Sequence, residues 1–352
     1  MKYALLFAAL AGCAHFPMHP NAEVHRAKTA DGWELALTHY NPIGPAKGRP
    51  ILLVHGISAN ERNMDLEQVS MARWFAEHGR DAWTLSLRGT GNSDSIAPAG
   101  SPADLADKAK GRPGPIRFDD YWKQDLPAAI AYIQTRSNAD GIDYAGHSMG
   151  GMVLYAYLSQ GGKGVHAAAT LGSPTRLNWG TTLERLMLGM SPMIGEGWMI
   201  PSDLGAKLAA PFQGVVDDGP FQRFFYVPGT TDLEVWRQLM VHGTAPVSGG
   251  TALQLMDMMQ NGRFLSADKQ TDLKADMSKI TTPILVVAGR LDRIAAAPAV
   301  KDGYRSLGGP KEWLLVTEGN GAHGEYGHMD LVIGKYAGDD VWAPILEFLD
   351  AH

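Results

Sequence analysis

Residues 142–160 read IDYAGHSMGGMVLYAYLSQ. A short strand-like run passes through Gly146-His147-Ser148-Met149-Gly150 into an apolar stretch with helical spacing. The pentapeptide matches Gly-x-Ser-x-Gly, and in a chain with 41 Gly the string alone decides little. Its position decides more. A serine raised on a strained strand-to-helix turn needs neighbours without Cβ atoms, and Gly146 and Gly150 supply them.

Working outward, apolar runs alternate with helical stretches. Trp33 to Tyr40 (WELALTHY) alternates like an early antiparallel strand, and Pro50 to Val54 (PILLV) is continuously apolar, as for a strand buried on both faces. Asp65 to His78 has helical spacing and stops at Gly79. DAWTLSLRG follows as a strand, and residues 118–135 form a helix in which Pro127 predicts a break or restart. Downstream, PILVVAG (283–289) and EWLLVT (312–317) are further strands. The pattern predicts an α/β fold, a mainly parallel sheet flanked by helices.

A nucleophilic serine on such a turn needs an acid, a base and an oxyanion hole, in the chain order Ser, acid, His. Asp292 lies just past the 283–289 strand, where open α/β sheets place their sites. The segment after the next strand contains His323 and His328, and either could supply the imidazole. One oxyanion donor is the N–H of Met149, after the nucleophile; the other is the N–H of Ile57, where Gly56 lets the backbone turn close to substrate. His55 comes too early in the chain to be the base, and it and His147 are read as structural. No HExxH or compact ligand spacing occurs, so the site needs no metal.

The strings HGI (55–57), LRGTGNSD (87–94), FDDYWKQDLPAAIAYI (118–133), GHSMGG (146–151), GRLDRI (289–294) and GHMDLVIGKYA (327–337) together resemble the α/β-hydrolase superfamily. Within it the pattern is most similar to the acid lipase/esterase branch, over residues 33–176 and 277–350. The resemblance implies Ser148 as nucleophile, Asp292 as acid and His328 as base, the last favoured over His323 by the GHMD string and the helical segment that follows. It implies ester hydrolysis through an acyl-enzyme, with no cofactor. Thioesterase, amidase or perhydrolase chemistry would use the same triad, and a silent binding module would not need it.

Residues 177–276 fit the sheet poorly and occupy the place where such hydrolases carry a mostly helical cap. The hydrolase core is then 31–176 and 277–352. The insertion holds Met187, Met190, Met193, Met199, Met240, Met256, Met258 and Met259, with Trp179, Trp198, Trp236, Phe221, Phe224, Phe225 and Tyr226. A Met-rich cap suits a pocket for varied apolar groups, or is simply the cap's own core.

The chain has 352 residues, 45% hydrophobic, with 31 Lys plus Arg against 37 Asp plus Glu. The net charge of −6 without a basic run argues against nucleic-acid binding. The single cysteine excludes an intramolecular disulfide and a Cys-rich metal site. Its position is informative. Residues 1–12 read as an export signal, with Lys2 before an apolar run too short to span a bilayer. Leu10-Ala11-Gly12-Cys13 resembles the lipobox of bacterial lipoproteins, which implies lipidation at Cys13 and anchoring in the cell envelope. Residues 13–30 are then a tether, and the histidines in it (His15, His19, His25) match no metal template. The expected partners are a small-molecule or lipid ester and a membrane, the latter through the anchor.

Overall fold

The structure is a computed structural model that describes residues 22–96, 114–177, 185, 188–214, 219 and 222–352. The signal segment, Cys13, His15 and His19 lie outside the described residues, as do Trp179, Met187 and Phe221.

Eight strands form one sheet in the order β1-β2-β4-β3-β5-β6-β9-β10. They are β1 (Ala22–Lys28), β2 (Glu34–Tyr40), β3 (Ile51–Val54), β4 (Ala82–Leu85), β5 (Ile142–His147), β6 (Val165–Leu171), β9 (Ile284–Gly289) and β10 (Lys311–Val316). β2 is antiparallel to both β1 and β4, and every pair from β4 to β10 is parallel. In β3 all four residues are buried. Leu52 and Val54 join one hydrophobic cluster and Ile51 and Leu53 the other, because successive side chains of a strand face opposite sides. Helices cover both faces. Leu126–Ser137 (α2), Met149–Ser159 (α3) and Val300 of Ala297–Ser306 (α7) contribute to the first cluster. Met71–Glu77 (α1) and Ala343–Ala351 (α8) contribute to the second.

Two local expectations change and one is narrowed. Residues 22–28, read as tether, are β1, an edge strand with only Ala22 and Ala27 buried; solvated on most of its length, it carries no apolar run to betray it. The helix expected from Asp65 begins at Met71, where Ser70 caps it by accepting the Arg73 N–H at 3.0 Å. At its other end Arg80 N–H bonds Phe75 O and Gly79 N–H bonds Ala76 O, with Gly79 at φ +87°, a Schellman ending. At Pro127 the helical path is not broken, and the restart that the sequence allowed is what occurs, with α2 beginning at Leu126 and Pro127 in its first turn. The turn before it, Tyr121–Asp125, is a wider π-turn in which Leu126 N–H bonds Tyr121 O, and the helical path runs on to Ser137.

Between β6 and β9 lie Ser202–Ala209 (α4), Leu233–Gln238 (α5), Gly249–Asn261 (α6) and a two-stranded ribbon, β7 (Met199–Ile200) with β8 (Val247–Ser248). Trp236 packs its ring against Phe225 and Tyr226. The methionines divide: Met240, Met256, Met258 and Met259 are buried, whereas Met190 and Met193 are exposed. The insertion's last part belongs with the sheet's helical layer, since Phe264 and Leu273 share one cluster with Met152 and Val153 of α3.

Candidate active site

Ser148 sits between β5 and α3 at φ +54°, ψ −117°, a backbone region that costs a non-glycine residue on the order of 1–3 kcal/mol. The turn is held by Ser148 N–H donating to Leu171 O at 2.8 Å. Its glycines are sterically required. A Cβ on Gly146 would stand 2.7 Å from Gly150 C and Gly151 N, and one on Gly150 would stand 2.3 Å from Val54 O. The absent Cβ at Gly150 therefore lets α3 start against the end of β3, where the Gly56 loop begins.

Asp292 follows β9 and His328 follows β10, and their side chains meet. His328 Nδ1 is 2.7 Å from Asp292 Oδ2, with both side chains buried. The other oxygen of Asp292 accepts the N–H groups of Ile294 and Ala295 at 2.8 and 2.7 Å, which fixes the carboxylate plane. A carboxylate so held favours the imidazole tautomer protonated on Nδ1 and leaves Nε2 as acceptor. Gly172, just after Leu171, runs beneath the pair: a Cβ there would lie 3.1 Å from His328 Nδ1 and 3.2 Å from Asp292 Oδ2. Leu171–Gly172 thus joins the serine turn to the imidazole–carboxylate pair.

The other histidines are placed elsewhere. His323 is exposed, stacks on Tyr336, and has Nδ1 2.7 Å from Asp340 Oδ1, which raises its pKa. His55 is buried, its pKa pushed down to about 4 by burial, with Nδ1 2.8 Å from Gly56 O and Nε2 accepting the Leu87 N–H at 3.3 Å. It is a neutral strut inside the loop it begins. His147, beside Ser148, is also held neutral by burial; its Nε2 donates to the backbone oxygen of His328 at 3.2 Å.

Met149 is the first residue of α3, so its N–H is among the four that a helix leaves without an intrahelical acceptor. Gly56 approaches the serine closely: a Cβ on it would be 3.0 Å from Ser148 Cβ. The loop carrying Ile57 therefore passes beside Ser148.

Sequence reasoning missed two sets of residues that fasten the insertion to this site. Asn60 N–H donates to Gly243 O at 3.1 Å, and its Nδ2 donates to His242 O and Thr244 O. Ala245 N–H donates to Ser58 O at 3.1 Å. On the histidine side, the carboxylate of fully buried Asp330 accepts the N–H of Val227 and of Gly327 and the Thr231 hydroxyl. Burial pushes its pKa up to about 6 against these three bonds. Met329 N–H to Phe225 O and Lys335 N–H to Thr230 O complete the join. The Asp of GHMD and the SAN of HGISAN were visible strings, but only their partners, over 90 residues away in sequence, reveal what they do.

Residues 49–196 match the sequence family described as alpha/beta hydrolase fold. The chain is 24% identical over 369 residues to Triacylglycerol lipase 1 of Arabidopsis thaliana, covering 95% of this chain and 88% of that protein. It is also 24% identical to Lipase lipl-5 of Caenorhabditis elegans, covering 93% and 88% respectively. Among solved structures it resembles a thermophilic esterase from Thermogutta terrifontis, with a TM-score of 0.61, 18% identity, and coverage of 94% of this chain and 99% of that one. A likeness at that identity speaks to the fold.

Proposed function

On the alpha/beta hydrolase fold that this chain adopts, we propose a serine hydrolase that cleaves carboxylic esters. One observation carries the reading: a serine held at φ +54° on a glycine-flanked strand-to-helix turn, joined through Leu171–Gly172 to a buried imidazole–carboxylate pair from two other strand ends. Ser148 Oγ gives its proton to His328 Nε2 and attacks the ester carbonyl carbon. The carbonyl oxygen becomes an oxyanion received by the N–H groups of Met149 and Ile57. The imidazolium, steadied by Asp292, protonates the departing alkoxide as the carbon–oxygen bond breaks. Water then loses a proton to the same imidazole and attacks the acyl-enzyme carbonyl, and the imidazolium returns that proton to Ser148 Oγ as the acyl bond breaks and the carboxylic acid leaves.

The ester is apolar. The described part of the insertion exposes Met193 (72%), Phe212 (64%), Trp198 (61%), Leu208 and Leu204, apolar side chains that support a lipid ester or another substrate with apolar chains. The lipase-named relatives support the same class. Residues 1–13 support a lipid anchor at Cys13, with the catalytic domain on the outer side of a bacterial membrane.

Two experiments test this. A series of p-nitrophenyl esters of increasing acyl length is hydrolysed by the purified protein, and a fluorophosphonate labels it; both signals vanish in Ser148→Ala. Labelling that persists in that variant would refute the nucleophile. For the anchor, Cys13→Ala shifts the protein from the membrane to the soluble fraction, and unchanged fractionation would refute it.

A further inference from the structure

The antiparallel register of β1 and β2 sets Glu23 opposite His39, and the two-residue period of a strand puts Glu23 and His25 on that same face. A ring nitrogen of each histidine and a carboxylate oxygen of Glu23 all lie within 4.8 Å of one another. His25 Nε2 is buried and has no hydrogen-bond partner; Glu23 Oε2 is 3.6 Å away. A buried imidazole nitrogen left in this way is an unmet lone pair or an unmet donor. Each ring also has a further partner. His25 Nδ1 is 3.0 Å from the Tyr132 hydroxyl, and His39 Nε2 is paired with Asp81, whose second oxygen accepts the Ser137 hydroxyl. Trp83 stacks on the His39 ring at 4.0 Å and 10°, and the His25 ring lies 5.1 Å from it. An imidazole oriented through its second nitrogen by a carboxylate or hydroxyl, against a hydrophobic wall, is the form in which histidine binds metal.

We propose that Glu23, His25 and His39 bind one divalent transition-metal ion of the zinc class, fastening edge strand β1 to the sheet. Two imidazoles and one carboxylate suit zinc, with water completing the tetrahedron. With its proton on Nδ1 toward Tyr132, His25 offers the Nε2 lone pair. Glu23, 62% exposed at its side chain, swings to close the remaining distance. The site lies away from Ser148 and owes nothing to the proposed ester chemistry. Spacing along the chain did not reveal it, because β1 looks like tether and the ligands meet only across the strand pair.

The test uses the full chain, stripped with a chelator and titrated with Zn²⁺, with Co²⁺ absorption as a second probe. The expected result is one equivalent bound, a higher thermal midpoint, and an affinity at least about tenfold weaker in both Glu23→Gln and His25→Gln. Turnover of a p-nitrophenyl ester and the circular dichroism spectrum stay unchanged. Glu23 is exposed, so its variant reports on binding even where His25→Gln disturbs packing. Well under one equivalent on the wild type overturns the proposal. So does undiminished binding in both variants, which would put the ion on other histidines.

Discussion

Asp330 accepts the backbone N–H of Val227 at 2.8 Å, tying the inserted segment to the loop that carries His328. The carboxylate also holds Gly327 N–H, the residue immediately before the histidine, at 2.7 Å. One buried side chain therefore contributes both to the position of the imidazole and to the seating of the insertion.

Replacing Asp330 with Asn leaves one oxygen for the two backbone N–H groups and turns an NH₂ toward the Thr231 hydroxyl, which accepts only one of its two hydrogens, so a buried donor stays unmet at a cost of about 1–3 kcal/mol. Ester turnover and thermal midpoint both fall. The pH dependence has a definite sign. A carboxyl with a folded-state pKa of about 6 binds its proton more tightly in the folded chain than in the unfolded one. Between about pH 6 and the ordinary carboxylate range, wild type thus gains stability as pH falls. The Asn variant lacks that gain, so the gap between the two widens on acidification. Urea unfolding of both proteins at pH 7 and pH 5 checks this, and a gap that narrows at pH 5 would contradict it.

Ser148→Gly removes the proposed nucleophile and relieves the strain at φ +54°. Strain relief on the order of 1–3 kcal/mol exceeds the added freedom of the unfolded chain, about 0.4–1 kcal/mol. The variant is inactive yet melts higher than wild type, as scanning calorimetry would show. A lower midpoint would mean that the turn stores no strain.

His328→Ala lowers kcat/KM by several orders of magnitude, because in the proposed mechanism the imidazole both takes and returns the proton. His323→Ala stays near wild type, since that ring lies exposed between Asp340 and Tyr336. Steady-state hydrolysis of one p-nitrophenyl ester by the two variants decides it; the reverse ranking would reassign the base.

Gly150→Ala and Gly205→Ala act in opposite directions. The first drives a Cβ to 2.3 Å from Val54 O and 2.8 Å from His55 O, backbone atoms that cannot step aside, and costs about 3 kcal/mol. The second adds a methyl within α4 with nothing inside 4 Å, and stabilises by about 0.5–1 kcal/mol. Urea midpoints measure both.

The sheet was legible wherever burial on both faces forced an apolar run, as in PILLV, IDYAG and PILVVAG, which became β3, β5 and β9. It was not legible at β1, whose polar residues face solvent along an edge. The start of α1 was misread for a related reason. Asp65 and Leu66 are buried like helix residues, yet Asp65 accepts the Tyr40 hydroxyl and Arg73 Nε, contacts that belong to a turn.

The placement of Ser148 and Asp292 could be read from the chain alone, because both follow from local rules: a turn that tolerates only glycine on either side, and a loop at the carboxyl end of a parallel strand. The choice between His323 and His328 lies partly beyond such rules. Both follow the same strand, and what separates them is that Asp292 faces one and Asp340 the other. The fastening of the insertion by Asn60 and Asp330, and the meeting of Glu23, His25 and His39, belong wholly to the tertiary structure. Periodicity and turn sterics act over a few residues, whereas these contacts depend on strand register and on where a remote backbone N–H happens to point.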